Sequence, residues 1–237
     1  MKKYFFAIFL IFCGFSHSFG GEVSLFAGGA QVRDVYLDER DTAFKIALEY
    51  NDFNQFETAL GWGADAKFTN ATTKFYDFSF FGGIKFGQRD YMGEFRLLPL
   101  GIGFLYSHFK RDFAIGSDPK HSSPEMTDFI DSLYYKLRVE YFRNLDFDTV
   151  LNLGFFYQRG FYSFSADDSW NFYSMSYKPR GIGLSAGIEY FVDPKVSLGL
   201  NLAYTNVNDY VFNKTRLYVG DGLSGLSGMV GLRYSFD

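Results

Sequence analysis

The sequence is poor in the residues that most site chemistry depends on. Its 237 residues include one cysteine, three histidines and five prolines. Cys13 sits in an apolar stretch near the N-terminus, after the bulky Phe12 rather than a small residue, and reads as an ordinary apolar side chain. Beyond it there is no cysteine, which excludes disulfides and thiol chemistry. No later segment approaches the roughly 18 consecutive apolar residues of a transmembrane helix. Positive charge is also scarce. With Lys2 and Lys3 set aside, 21 bases face 27 acids, a net charge of −6, and no basic patch points to nucleic acid. His121-Ser122-Ser123 has no metal-ligand spacing. The 25 glycines recur at alternate positions of extended segments rather than in a turn before a helix, so there is no phosphate-binding loop. No metal and no cofactor is expected.

What is abundant is aromatic: 22% of the chain, with 31 Phe and 18 Tyr. The last stretch shows how they are used. Val230, Leu232, Tyr234 and Phe236 alternate with Met229, Gly231, Arg233 and Ser235. A period of two means a strand with one greasy face and one different face. Almost every extended segment upstream repeats this over about ten residues, with aromatics at the ends, which is the pattern of a transmembrane β-barrel. The mean hydropathy of −0.09 fits, because every second residue of such a barrel faces a polar interior.

The N-terminus reads as a secretory signal. Lys2 and Lys3 give the positive end, residues 4–15 the apolar core, and Ser18-Phe19-Gly20 the small residues before a cut. Residues 1–20 are therefore expected to be a signal peptide and 21–237 one barrel domain.

The predicted fold is all-β: an antiparallel up-and-down barrel of about ten strands, with eight as the alternative count. Loops are expected at 33–41, around Asn70, at 108–129, at 166–169 and at 206–223. Tight turns are expected at 51–54, 87–90, 143–148 and 193–195, where Asn, Asp and Gly cluster. The alternation slips by one residue at Pro99, as a β-bulge would make it do, and again at Pro179. Aromatics sort to the strand ends. The turn side carries Tyr50, Phe56, Phe86, Tyr91, Tyr141, Tyr190, Tyr234 and Phe236; the loop side carries Trp62, Tyr76, Tyr106, Tyr135, Tyr157 and Tyr204. Two such rings are what two membrane interfaces favour.

On these residues the chain resembles the small bacterial outer-membrane barrels, the porin-like and opacity-protein-like families, across essentially all of 21–237. Gly231, Tyr234 and Phe236 match the signal such barrels present to the assembly machinery, a glycine followed by aromatics, with Asp237 standing after the usual terminal aromatic. The resemblance implies the outer membrane of a Gram-negative-type bacterium, with membrane lipid and the barrel assembly machinery as partners.

The face opposite the lipid set is charged. Lys45, Lys85, Arg96, Lys136, Arg138 and Arg233 alternate in phase with Glu49, Glu57, Asp65, Asp77, Glu94, Glu140 and Glu189. In a ten-stranded barrel these can meet and plug the lumen, because little room remains beyond side chains. That favours a structural or surface-interaction protein. The alternative is a constriction selecting ions or small solutes in a narrow porin. A hydrolase would need a set such as Ser107, His108 and Asp112, or paired aspartates such as Asp128 and Asp131 beside a His-Asp couple; the couple is not evident and no catalytic residue is assigned. The long loops 108–129 and 206–223, the latter with Tyr210, Phe212 and Tyr218, are the candidate sites for an extracellular ligand.

Overall fold

The computed structural model describes residues 21–34, 39–53, 60–70, 73–90, 92–111, 126–167, 180–208 and 225–236. They form ten strands: β1 Gly21–Asp34, β2 Glu39–Asn51, β3 Leu60–Asn70, β4 Thr73–Gln88, β5 Gly93–Arg111, β6 Met126–Asn144, β7 Thr149–Asp167, β8 Arg180–Asp193, β9 Val196–Asn208 and β10 Gly225–Phe236. Each pairs antiparallel with its sequence neighbours, and β10 closes on β1. Closure by the β1–β10 pairing leaves no free sheet edge along the paired lengths of the strands, as a bilayer requires.

The period of two holds around the barrel. On β8 the exposed residues include Ile182, Leu184, Ile188, Tyr190 and Val192, while Gly181, Gly183, Gly187 and Glu189 are buried. Ile182 to Val192 spans about 33 Å of strand, or about 25 Å along the barrel axis at a tilt of roughly 40°, the height of an outer-membrane apolar belt. Leu198, Leu200 and Leu202 on β9, and Val230, Leu232 and Tyr234 on β10, continue the belt. This is a transmembrane barrel: an apolar belt faces outward, and the charged side chains of the lumen, with several aromatics, face inward.

The slip at Pro99 is a bulge in β5. Register shifts there against both neighbours, between Gly82 and Ile84 of β4 and between Leu98 and Ile102 of β5. The bulge turns Leu98 inward, fully buried, and leaves Leu100 71% exposed. It also presses the Leu97 carbonyl to 2.0 Å from where a Cβ on Gly83 would stand, so that position takes no side chain. The β4–β5 turn uses the expected glycine freedom: Gly87 and Gly93 have φ of 86° and 95°. In the β6–β7 turn the Asp148 amide donates to Asp146 Oδ1 at 3.0 Å, and in the β8–β9 turn the Lys195 amide donates to Asp193 Oδ1 at 3.0 Å.

Several expectations are corrected. The strands run 11 to 19 residues, longer than about ten. β5 reaches Arg111 and β6 begins at Met126, so both ends of the expected loop 108–129 are strand, and residues 112–125 lie outside the described residues. The loop at 206–223 likewise begins later, because β9 continues to Asn208. The expected tight turn at 51–54 does not form. β3 starts at Leu60, Asn51 pairs with Gly63, and the Asp52 amide donates to the Trp62 carbonyl at 2.9 Å. Trp62 consequently sits at the turn side, not the loop side. Tyr50 is 2% exposed, covered rather than displayed, with its ring 5.0 Å from that of Trp62. Phe56, Tyr91 and Pro179 lie outside the described residues. The rest of the turn-side ring is present: Phe86 stacks on Phe95 at 5.5 Å, Phe95 meets Tyr141 at 4.7 Å, and Tyr234 meets Phe236 at 4.8 Å.

The inside-outside assignment ranks two adjacent substitutions. Leu200→Arg, on the lipid face, is expected to destabilise the inserted barrel by about 2–4 kcal/mol near the bilayer midplane. Asn201→Arg, on the lumen face, is expected to be tolerated better in the same vesicle-refolding assay; the reverse ranking contradicts the assignment.

Candidate functional site

The lumen is organised in two layers of charge. The lower layer, toward the turns, starts on β5. Arg96, 2% exposed, donates from Nε to Glu94 Oε1 at 2.7 Å and from Nη1 to Asn51 Oδ1 of β2 at 3.4 Å. Asn51 Nδ2 donates to Glu22 Oε2 of β1 at 3.3 Å. Arg233 of β10 ion-pairs with Glu22 at 3.6 Å and with Glu189 of β8 at 2.8 Å, and its Nε donates to Ser24 Oγ at 3.0 Å. Ser197 donates its hydroxyl to Glu189. Arg89, from the β4–β5 turn, pairs with Glu94 at 3.3 Å. The result is one continuous run of polar contacts from β5, by way of β2, β1 and β10, to β8.

Aromatic faces complete that layer. Arg96 lies 4.4 Å from the Phe142 ring and 5.1 Å from Phe53. Phe53 leaves the end of β2 and folds inward, 1% exposed, onto Phe81 and Leu98. The corrected β2–β3 connection therefore delivers part of the floor.

The upper layer centres on Arg138 of β6. Its guanidinium reaches across the lumen to Asp65 of β3 at 3.0 Å and Glu49 of β2 at 3.7 Å, and pairs with Glu140 at 3.3 Å. Glu49 and Asp65 are directly opposed in register, an unfavourable pairing of like charges. Arg138 on one side and Lys67, 3.1 Å from Asp65, on the other supply the opposite charge. Ser79 also donates to Asp65, and the Tyr134 hydroxyl donates to Asp77.

Inward aromatics fill what charge leaves. Four of them stand directly opposite a glycine of the neighbouring strand: Tyr134 opposite Gly103, Phe81 opposite Gly63, Phe156 opposite Gly183, and Phe26 opposite Gly231. In each case a Cβ on the glycine would lie 2.0 to 2.5 Å from the ring, so the missing side chain is the recess the ring occupies. This is the cross-strand covering of glycine by an aromatic that stabilises curved sheets.

Above the lower layer the lumen keeps a cavity of about 190 Å³. Six bases line it, Lys45, Lys67, Arg96, Lys136, Arg138 and Arg233, against three acids, Glu49, Asp77 and Glu140. The wall formed by β7 to β10 contributes neutral groups, among them Asn152, Gln158, Ser185, Asn201 and Thr205.

The structure thus brings Glu49, Asp65, Asp77, Glu94, Arg96, Lys136, Arg138, Glu140, Glu189 and Arg233 into the lumen, together with Lys45. Lys85 is opposite Arg96 in register, but among the described residues it makes no ion pair. Glu57 lies outside the described residues. Sequence reasoning missed Glu22, Lys67, Arg89 and the inward aromatics; Lys67 continues the inward parity of Asp65 two residues on. Of the assembly triplet, Gly231 lies beneath Phe26, while Tyr234 is 45% exposed on the outer face beside Phe236. Ser107 and His108 lie on β5, and register places Ile130 and Phe129 opposite them, not Asp128 or Asp131. Asp112 falls outside the described residues, as do 112–125 and 209–224 of the expected ligand loops.

No protein-family model matches the sequence, and no curated protein matches it. Among solved structures the chain is similar to the translocator domain of the autotransporter NalP from Neisseria meningitidis, at 13% identity and a TM-score of 0.51, covering 92% of this chain and 88% of that one. It is also matched to the outer membrane protease OmpT from Escherichia coli, at 13% identity and a TM-score of 0.47, over 92% and 97% of the two chains. The KdgM porin follows at 12% identity and a TM-score of 0.39, over 91% and 99%. The first likeness, at that identity, is one of fold: the closed barrel of outer-membrane proteins.

The aromatic–glycine recesses carry a stability consequence. Gly103→Val drives a side chain into the Tyr134 ring and is expected to destabilise by about 1–3 kcal/mol in urea unfolding. Gly82→Val, whose Cβ would meet its nearest atom at 3.6 Å, is expected to cost less. Equal costs contradict the recess assignment.

Proposed function

We propose that this chain is an integral outer-membrane protein of a Gram-negative-type bacterium, exported by the signal at residues 1–20. In this reading it is inserted by the barrel assembly machinery through Gly231, Tyr234 and Phe236. Its lumen is closed to through-passage, and its role is structural or one of surface interaction, with extracellular contacts made by the loop-side segments between β5 and β6 and between β9 and β10. The observation that carries this reading is the continuous lower layer from Arg96 through Asn51, Glu22 and Arg233 to Glu189. Its ions pair with one another, and buried guanidiniums held by two or more partners are not displaced cheaply. Phe53 and Phe142 remove much of the space between them.

A narrow channel is the second reading, favoured by the cavity of about 190 Å³ above that layer. Single-channel recording in a planar bilayer separates the two, after a heat-dependent gel shift verifies folding. The unsubstituted barrel is expected to give no discrete steps, and Arg96→Ala combined with Arg233→Ala is expected to introduce them. Reproducible unit steps from the unsubstituted protein overturn the closed-lumen reading in favour of the channel.

A further inference from the structure

The lumen cavity holds a buried cation without a hydrogen-bond or ion-pair partner among the described residues. Lys136 is 3% exposed and lines the cavity from β6. Its ammonium lies 4.7 Å from the Phe156 ring and 5.8 Å from the Tyr134 ring. Among the described residues it makes no hydrogen bond and no ion pair, although buried charges are ordinarily paired. Ring faces attract an ammonium but accept none of its N–H bonds in the way an oxygen does. The carboxylates nearby are engaged elsewhere. Asp65 is held by Lys67, Arg138 and Ser79, and Asp77 takes the Tyr134 hydroxyl. Lys45 lines the same cavity and likewise makes no ion pair among the described residues.

The rest of the lining defines what would fit. Phe26, Phe142, Phe156 and Met229 give the cavity apolar patches beside the two lysines. Its volume of about 190 Å³ is somewhat larger than the roughly 150 Å³ that accommodates benzene in an engineered protein cavity. It is well below the usual range for drug-sized ligands, about 300–1,000 Å³. We infer that the cavity beside Lys136 and Lys45 is a binding site for a small organic carboxylate with an apolar or aromatic body. The carboxylate would take the Lys136 ammonium, with Lys45 adding charge, and the body would lie against the rings. This goes beyond the closed-barrel reading and does not depend on whether the lumen conducts, since binding is measured without passage.

The probe is benzoate, titrated calorimetrically into the full refolded barrel in detergent, with benzamide as the neutral molecule of the same shape. Saturable benzoate binding is expected, at least about tenfold tighter than benzamide, the equivalent of about 1.4 kcal/mol. Lys136→Met is expected to abolish that preference, and Lys136→Arg, which keeps the charge, to retain part of it. The benzoate–benzamide comparison on the unsubstituted protein stands even if Lys136→Met fails to fold. Equal binding of the two molecules, no saturable benzoate binding, or an unchanged preference in folded Lys136→Met would each overturn the proposal.

Discussion

The structure depends on one guanidinium crossing the lumen. Arg138 leaves β6 and meets Asp65 on β3 and Glu49 on β2, several strands away around the barrel. At 3.0 Å the Asp65 contact has a gross attraction of about 5 kcal/mol for an effective dielectric near 20. Desolvating the two ions offsets most of that. What the pair does is remove alternatives. Without Arg138, the buried Asp65 and the half-buried Glu49 directly opposite it would keep, among the described residues, Lys67 as the cation in ion-pair contact. The strand register that serves the lipid face forces Glu49 and Asp65 together, and the cross-lumen cation makes that register tolerable.

The other features follow from the same constraint, that a ten-stranded barrel must fill its own interior. Charge is arranged in two layers, each neutralised largely within itself. Aromatics occupy the space between, and glycines opposite them supply the depth: Tyr134 over Gly103 and Phe156 over Gly183 sit where any Cβ would collide. Tyr134 joins the two devices, since its ring fills a glycine recess and its hydroxyl donates to Asp77. The filling is uneven. It is dense at the turn side, where Phe53, Phe142 and Arg96 meet, and leaves a cavity above, where Lys136 has rings for neighbours and, among the described residues, no hydrogen-bond partner.

Much of this was legible because the lipid face imposes a strict period of two. Ile182 to Tyr190, Val196 to Tyr204 and Val230 to Tyr234 could be assigned outward from alternation alone, and the bulge at Pro99 announced itself as a break in phase. The strand ends were harder. β5, β6 and β7 each have 19 residues, about 60 Å of strand, roughly twice what the belt requires. Beyond the hydrocarbon the outer face no longer has to be apolar, so the alternation disappears and residues such as Lys110 and Asp128 read as loop. The inward aromatics were missed for a related reason. Phe81 and Tyr134 have the composition of lipid-facing residues, and what marks them as inward is the glycine opposite each, visible only once register is known. Asn51-Asp52-Phe53-Asn54 has turn chemistry, yet register is set by the Tyr50–Ala64 and Leu48–Ala66 pairs farther up, and Phe53 finds its place inside the floor.

The claim that the cross-lumen pair holds this arrangement is tested most directly by a double-mutant cycle on Arg138 and Asp65, read as unfolding free energy in lipid vesicles. Arg138→Met alone should cost about 3–5 kcal/mol, because it leaves a buried carboxylate short of its partner. Combined with Asp65→Asn, the cost should fall well below the sum of the two single substitutions. Additive losses, or a loss on Arg138→Met within about 0.5 kcal/mol of zero as for an ordinary surface change, would contradict the account.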